Sequence, residues 1–452
     1  MGLPRATKPA RPCEQPPAPS TPESLSGLLY EFRGCFSAWT FPVFCALVCG
    51  MLAQTGRRTV CGMLVGARLS AIWSHHRAHR FFSHSAWSVE HLGALAARLV
   101  VRLLVAAGDA ITVAIDDTLF HRRGPKVHAA SWFHDGSVQG EHKVGYGNNW
   151  VIAAIVVRLA FLDRPLALPV GFGLIRKDSE ESSRLRAARR LVEALAGLFP
   201  GRTIHVVADS AYAGKALRGL PPGVTWTTRL RSNAALYELA PPRTGRRGRP
   251  RTKGAKLARL SSLADQATFS TMELTRYGQT TTASVAVISC LWYRVFGSTP
   301  VQVALVRDTK AKTGYDVALV TTDLSARPDG VIARYATRWS IEVAIEDAKQ
   351  TVGVGQARNR VRRAVERTVP FGLIVGTIAV CWYATVGHHP DDIERARQIA
   401  PWYRDKAQPS VMDMLTKLRR EIIAAQFRGT DPRTPSPAEI NILRLAWEDA
   451  VA

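Results

Sequence analysis

Apolar positions recur with helical spacing from Leu28 to about Leu104, interrupted at Gly56-Arg57-Arg58 and around Ser83 to Ser85. That pattern predicts a run of helices. Residues 1–25, rich in Pro, Ser and Ala, read as a disordered leader. Ile111 to Thr118 is a near-continuous apolar run entering Asp116 and Asp117, as expected of a strand buried on both faces. Strands are also expected over 149–159 and 166–172. A helix opened by Asp178-Ser179 should follow, with Leu185, Leu191, Val192, Leu195 and Leu198 as its apolar stripe and a stop at Pro200-Gly201. Arg202 to Asp209 reads as a strand delivering a carboxylate at its C-terminal end, and 224–230 as the strand that closes the sheet. Alternation over 271–294 and 301–322 predicts antiparallel strands. The strand-helix-strand order places the chain in the α/β class.

Tyr335 to Lys349 reads as one helix. At about 100° per residue, Tyr335, Arg338, Glu342 and Lys349 fall on one stripe. Trp339, Ile341, Ala344, Ile345 and Ala348 are left to pack inward. Taken alone, such a stripe is a solvated face with ion pairs between successive turns. The strand-end carboxylates change that reading. Beyond it, Thr368 to Gly387 carries no charge over 20 residues, long enough to cross a bilayer. Its Pro370, Gly372 and Gly376 favour a buried core helix, and no membrane partner is expected. The run from Phe41 to Ala53 is too short to span.

Charge narrows the class of partner. The chain has 60 Lys and Arg against 36 Asp and Glu, a net charge of +24. Such an excess attracts a polyanion, with nucleic acid ahead of an acidic membrane. Residues 243–254 are strongly basic and read from their composition as a flexible segment. Their Arg247-Gly248-Arg249-Pro250 core resembles an AT-hook, so Arg247 and Arg249 are candidate minor-groove contacts, with phosphate contact alone as the alternative. The seven cysteines form no CxxC pair, which points to small core residues in a reducing, cytoplasmic and nucleoid-associated setting. His75 and His79 stand one turn apart without a third ligand nearby in sequence, so a structural or DNA-facing role is expected.

Two Asp residues from neighbouring strands and one Glu from a packed helix can bring three hard oxygen ligands together. Such a set suits Mg²⁺ or Mn²⁺. Two such ions support in-line phosphoryl transfer, with cations such as Arg338 and Lys349 holding the strand. Asp116 and Asp117, and equally Glu342 and Glu346, are left as alternatives by this argument.

The set Tyr335-x2-Arg338-x3-Glu342-x6-Lys349 resembles the YREK signature of DDE transposases from bacterial insertion sequences. Ile115-Asp-Asp-Thr118 and Val207-Ala-Asp-Ser-Ala-Tyr212 resemble that family's first and second Asp motifs. The resemblance spans about residues 108–390. It implies an RNase H-like catalytic core, 108–232 and 326–390, interrupted by a mainly β insertion domain at 233–325. A helical N-terminal domain at 26–107 would bind DNA, and a helical C-terminal region would occupy 391–452. Carried over, Asp117, Asp209 and Glu342 form the metal triad for two Mg²⁺ ions, with Mn²⁺ able to substitute. Asp117 is preferred because the motif's Asp directly precedes a Thr, and Glu342 because the motif spacing selects it. Tyr335, Arg338 and Lys349 would contact double-stranded DNA at the transposon ends, in a homodimer that also binds target DNA. The implied reaction is cut-and-paste transposition through a DNA hairpin. Trp292 is then a candidate for stacking on a flipped base, or else a buried sheet aromatic. A catalytically inactive DNA-binding descendant and an RNase H-like nuclease without strand transfer are the alternatives. Divalent-dependent nicking separates the first from an enzyme.

Overall fold

The computed structural model describes residues 21–136, 143–179, 183–242, 250–276, 278–308, 314–427, 436–438 and 440–441. Arg247 and Arg249 lie outside the described residues. Five N-terminal helices, α1 (Glu23–Tyr30), α2 (Phe41–Ala53), α3 (Val60–Gly66), α4 (His75–Ser83) and α5 (Val89–Leu104), precede the sheet. Two of their breaks, before α3 and before α5, fall where the helical spacing lapses, and those before α2 and α4 do not show in the spacing. Ser74, Ser88 and Thr59 cap α4, α5 and α3, each accepting a backbone N–H with its side-chain oxygen.

The sheet begins with β1 (Ile111–His121), β2 (Ser131–His134), β3 (Val144–Val157) and β4 (Leu166–Leu174). Helix α6 (Arg184–Leu198) leads to β5 (Ile204–Ala208) and β6 (Val224–Arg229). Asp178-Ser179 does not open α6. Ser183 does, because its hydroxyl accepts the Arg186 N–H. Short α7 (Leu260–Gln266) precedes β7 (Ser270–Arg276) and β8 (Gln279–Cys290), and α8 (Tyr293–Phe296) precedes β9 (Val301–Asp308) and β10 (Val317–Thr321). The strands form one ten-stranded sheet in the order β2-β3-β1-β5-β6-β10-β9-β8-β7, with β4 also on β3. Pairs β1–β5 and β5–β6 are parallel and the rest antiparallel, so this is a large mixed sheet of an α/β protein.

Strand β6 does not close the sheet. Its free edge takes β10 in antiparallel register, so β7–β10 continue the sheet that carries Asp116 and Asp209. Leu274, Val285, Val306, Leu319 and Ile332 bury a small apolar cluster between those strands and the next helix, with Tyr335 packed against it.

Helices α9 (Pro328–Ala336), α10 (Trp339–Gln350), α11 (Arg362–Trp382), α12 (Asp392–Ile399) and α13 (Val411–Phe427) follow. The run 368–387 lies in α11 and a π-helical extension over Tyr383–Gly387, and most of it is buried inside the protein. It packs against α2, α4, α5 and β4, so the N-terminal helices share one hydrophobic core with the sheet. Arg367 ties them together. Its guanidinium donates to the Phe82 and Trp87 carbonyls at 3.1 and 2.5 Å and lies over the Trp87 ring. Arg367→Met keeps the volume but strands both carbonyls. It should destabilise the fold by about 2 kcal/mol in urea denaturation, charge-assisted bonds being worth about 1.5–3 kcal/mol.

Candidate active site

Strand periodicity decides what faces what. Side chains alternate across a strand, so Asp116, Thr118, Phe120 and Arg122 share one face of β1, and Ile115, Asp117 and Leu119 share the other. Helix α6 covers the Asp117 face, where Gly173, paired with Val151, meets Ala187. Helices α5, α10 and α11 cover the Asp116 face.

Asp117 is fully occupied on its side. Its carboxylate accepts from Tyr212 Oη at 2.9 Å and Asn149 Nδ2 at 3.0 Å, and pairs with Arg184 Nε at 3.0 Å. Tyr212 is buried, and burial together with the Asp117 and Asp116 charges pushes its hydroxyl pKa well up, so it stays a donor.

Asp116 stands in a different company. The β1–β5 ladder pairs Ile115 with Ala208, and the extended backbone of Asp209 puts that residue beside Asp116 on the same face. The Asp209 Oδ1 accepts from the Ser210 N–H. From α10, Glu342 reaches the same region. The Arg338 guanidinium joins the two, 2.6 Å from Glu342 Oε1 and 3.6 Å from Asp116 Oδ2. Burial opposes charge on Arg338, but Glu342, Tyr335 and Asp116 outweigh it and hold its pKa up. Burial, reinforced by the Asp117 and Glu342 charges and opposed by Arg338, pushes Asp116 up to about 6.

Tyr335 and Arg338 do not belong to one unbroken helix with Glu342, as the stripe argument expects. Tyr335 lies in the last turn of α9, and Arg338 is the residue before α10. The Thr337 hydroxyl donates to the Arg334 carbonyl and that of Ser340 to the Thr337 carbonyl, drawing backbone bonds into the tighter i→i−3 pattern over 337–341. Tyr335 still reaches the site. Burial raises its pKa, Arg338 lowers it and the Asp209 charge raises it further. Lys349 closes the other end, its Nζ donating to Thr118 Oγ1 at 2.7 Å above the Phe120 ring. Burial lowers the Lys349 pKa, partly opposed by Asp135. Glu346 points to solvent, where Gln350 bonds it.

Among the described residues, no three His, Cys, Asp or Glu side chains are close enough to share a metal ion. Arg338 occupies the space between Asp116 and Glu342 and supplies the positive charge there. Carboxylate oxygens are the preferred ligands of a hard divalent cation, so Asp116, Asp209 and Glu342 have the donor chemistry for one, with Asp116 partly buried and crowded by like charges. His75 and His79 stack edge to face, with Cys61 Sγ 3.6 Å from His79 Nε2. Trp292 is buried and packs on Phe296, so its indole fills core rather than meeting a base.

The raised Asp116 pKa carries a sign. Its folded value lies above its unfolded one, so its stabilising contribution is complete below about pH 4 and is lost as pH rises through about 6. Asp116→Asn should therefore melt like wild type near pH 4. It should melt above it by pH 7 in the absence of metal, which calorimetry across that range would test.

The strand-borne and helix-borne carboxylates thus lie near an Arg and a half-buried Lys. The family profile of the DDE superfamily endonucleases matches residues 31–298, more than half of the chain, and the chain belongs to that family. The matched span contains Asp116, Asp117 and Asp209 and ends before Glu342. Among solved structures, the cryo-EM structure of piggyBac transposase in a synaptic complex with hairpin DNA is similar. It covers 94% of this chain and 82% of that chain, at 10% identity and a TM-score of 0.40. No curated protein matches the sequence.

Proposed function

We propose that this chain is a DDE transposase that cuts DNA at the ends of its own element and joins them to a target, with Asp116, Asp209 and Glu342 as its metal ligands. The observation that carries the assignment is the Asp116 side of the sheet: Arg338 bridges Asp116 and Glu342 there and the β1–β5 ladder runs out into Asp209, with Asp117 turned away into Arg184, Tyr212 and Asn149. Mg²⁺, with Mn²⁺ as substitute, would supply charge stabilisation at the phosphodiester and a more acidic attacking oxygen.

The chain's own residues do the rest. Arg338 neutralises Asp116 and Glu342 in the protein alone and is the nearest cation to pass to a DNA phosphate oxygen once those carboxylates are engaged. Lys349 and Thr118 hold a polar contact next to Asp116 along β1, placing an ammonium where the scissile strand would run. Tyr335 presents a neutral phenol donor at the Asp209 side. The fold in this reading is RNase H-like, with β7–β10 as the element inserted between the second Asp and the Glu. The excess of basic residues supplies affinity for duplex DNA that falls with salt.

Arg338→Ala removes the cation that competes with a metal for Asp116 and Glu342. It should tighten Mn²⁺ binding to the free protein by roughly tenfold while weakening DNA binding, since a nearby unit charge shifts such a site by on the order of 1–2 kcal/mol. Titration of both ligands against both proteins checks the opposite signs.

The function itself is tested with a labelled duplex carrying the DNA that flanks the reading frame, incubated with Mg²⁺ or with EDTA. Nicking at a defined end followed by joining to a second duplex supports the transposase reading. Nicking without joining reduces it to a nuclease. Salt-sensitive binding with no nick under any divalent ion contradicts it.

A further inference from the structure

The face of β1 that bears Asp116 continues through Thr118 and Phe120 to Arg122, just past the strand, and there the protein opens into a cavity of about 740 Å³. Arg57, Arg122, Arg123, Arg358 and Arg360 line it together with Tyr146, and no carboxylate among the described residues does. Five guanidinium groups converge from three separate segments: the α2–α3 loop, the end of β1 and the α10–α11 loop. Arg122 is buried, and its bonds go to neutral partners, Asn148 Oδ1 at 2.9 Å and the Gly355 carbonyl at 2.7 Å. Burial pushes its pKa down to about 10, so the charge persists at neutral pH without a counter-ion of its own. Asn359 adds a buried Nδ2 donor with no acceptor.

Concentrated positive charge without acid partners is complemented by an anion, and planar guanidinium forks match phosphate oxygens in pairs. The wall of the cavity adds a second feature. Tyr146 of β3 faces Trp132 of β2 across the ladder, with ring centroids 5.6 Å apart, and the Trp132 indole is 60% exposed. An exposed aromatic next to a basic groove is a platform on which a nucleic-acid base stacks.

We propose that this cavity is a phosphodiester-binding subsite for the DNA strand leaving the carboxylate centre, with Trp132 as the stacking surface for an unpaired base of that strand. The proposal rests on the cleavage reading above for its choice of ligand. Arg122 lies six residues along β1 from Asp116, about 20 Å at roughly 3.3 Å per residue. A duplex strand carries a phosphate about every 3.4 Å of axis, so the subsite meets the strand about six nucleotides from the point of cleavage.

The test uses the full chain and two variants: Arg123→Gln/Arg358→Gln/Arg360→Gln, all at exposed side chains, and Trp132→Ala. Binding of a labelled duplex is measured against salt. The slope of log affinity against log salt should fall by about two to three units in the triple variant, at about 0.9 per lost phosphate. Trp132→Ala should bind a substrate with unpaired bases about six nucleotides from the end at least about fivefold more weakly, and a blunt fully paired duplex as wild type does. If the triple variant fails to fold by circular dichroism, Arg358→Gln alone should lower the slope by about 0.9. An unchanged slope in a folded variant overturns the proposal, and so does micromolar binding of a nucleoside triphosphate that leaves DNA affinity untouched. A lowered slope in a protein that never nicks DNA would sustain the subsite while removing the cleavage reading. Normal nicking with an unchanged slope would do the reverse.

Discussion

Asp116→Asn should lower divalent-dependent strand cleavage by more than about 100-fold while DNA affinity stays within a few-fold of wild type. Loss of a partner that merely orients a ligand costs about 10–100-fold, so loss of the ligand itself exceeds that. Asparagine keeps the shape of Asp116 and its acceptor for the Asp117 N–H, so the strand is undisturbed. What disappears is one negative charge on the face shared with Asp209 and Glu342. Single-turnover cleavage of a pre-bound duplex is the check, because it isolates the chemical step from end binding. The variant should also be the more stable protein at pH 7 without metal, as the direction of the Asp116 shift requires. Gain of stability with loss of cleavage marks a residue kept for chemistry.

Asp117→Ala has the opposite profile. Its removal strands the buried Tyr212 hydroxyl and the buried Asn149 amide and leaves Arg184 without its acid. A buried polar group left unpaired costs about 1–3 kcal/mol, and Arg184, partly exposed, recovers water. A loss of about 3 kcal/mol follows, measured as a lower urea midpoint at unchanged slope. Asp117→Asn should lose less, since its amide oxygen still accepts from Tyr212. Cleavage per folded molecule should remain within roughly tenfold of wild type in Asp117→Asn. Full inactivity of that variant with wild-type stability would place the metal on the α6 face.

The contrast between the two aspartates shows what the sequence carries and what it withholds. The apolar run from Ile111 to Ile115 announces a buried strand entering two carboxylates, and the β5 strand announces Asp209. The spacing of Arg338, Glu342 and Lys349 announces a charged stripe, and Glu342 and Lys349 both reach β1 or its charges in the fold. Which aspartate faces that helix depends on the β1–β5 register and on the helices chosen for each sheet face. Neither is encoded within the strand itself, and a motif that ends in Thr118 favours the residue next to it. The two-residue period does not decide it either: Asp116 shares parity with Thr118 but also with Ala114 and Phe120, and Asp117 with Ile115 and Leu119 but also with His121.

Other features were hidden for similar reasons. The hydroxyls of Thr337 and Ser340 tighten the turn between α9 and α10 through side-chain bonds that helical periodicity does not register. The five-arginine cavity is assembled from residues more than 300 apart in the chain, Arg57 and Arg360 among them, and no local window brings them together. Strand β10 was legible as a strand, but its pairing with β6, which fuses the later strands onto the sheet, is a long-range choice. By contrast, the core placement of 368–387 followed from Pro370 and the glycines: Gly372 approaches Met51 and Val354 closely enough that a larger residue there would force them apart.

Manganese binding, read by the loss of the free Mn²⁺ electron paramagnetic resonance signal, tests the central claim most directly. It would be run on wild type, Asp116→Asn, Asp117→Asn, Asp209→Asn and Glu342→Gln, with circular dichroism confirming that each is folded. Weakening of more than about tenfold in the Asp116, Asp209 and Glu342 variants, with Asp117→Asn close to wild type, is the expected result. Wild-type Mn²⁺ affinity in Asp116→Asn together with its loss in Asp117→Asn would contradict the account.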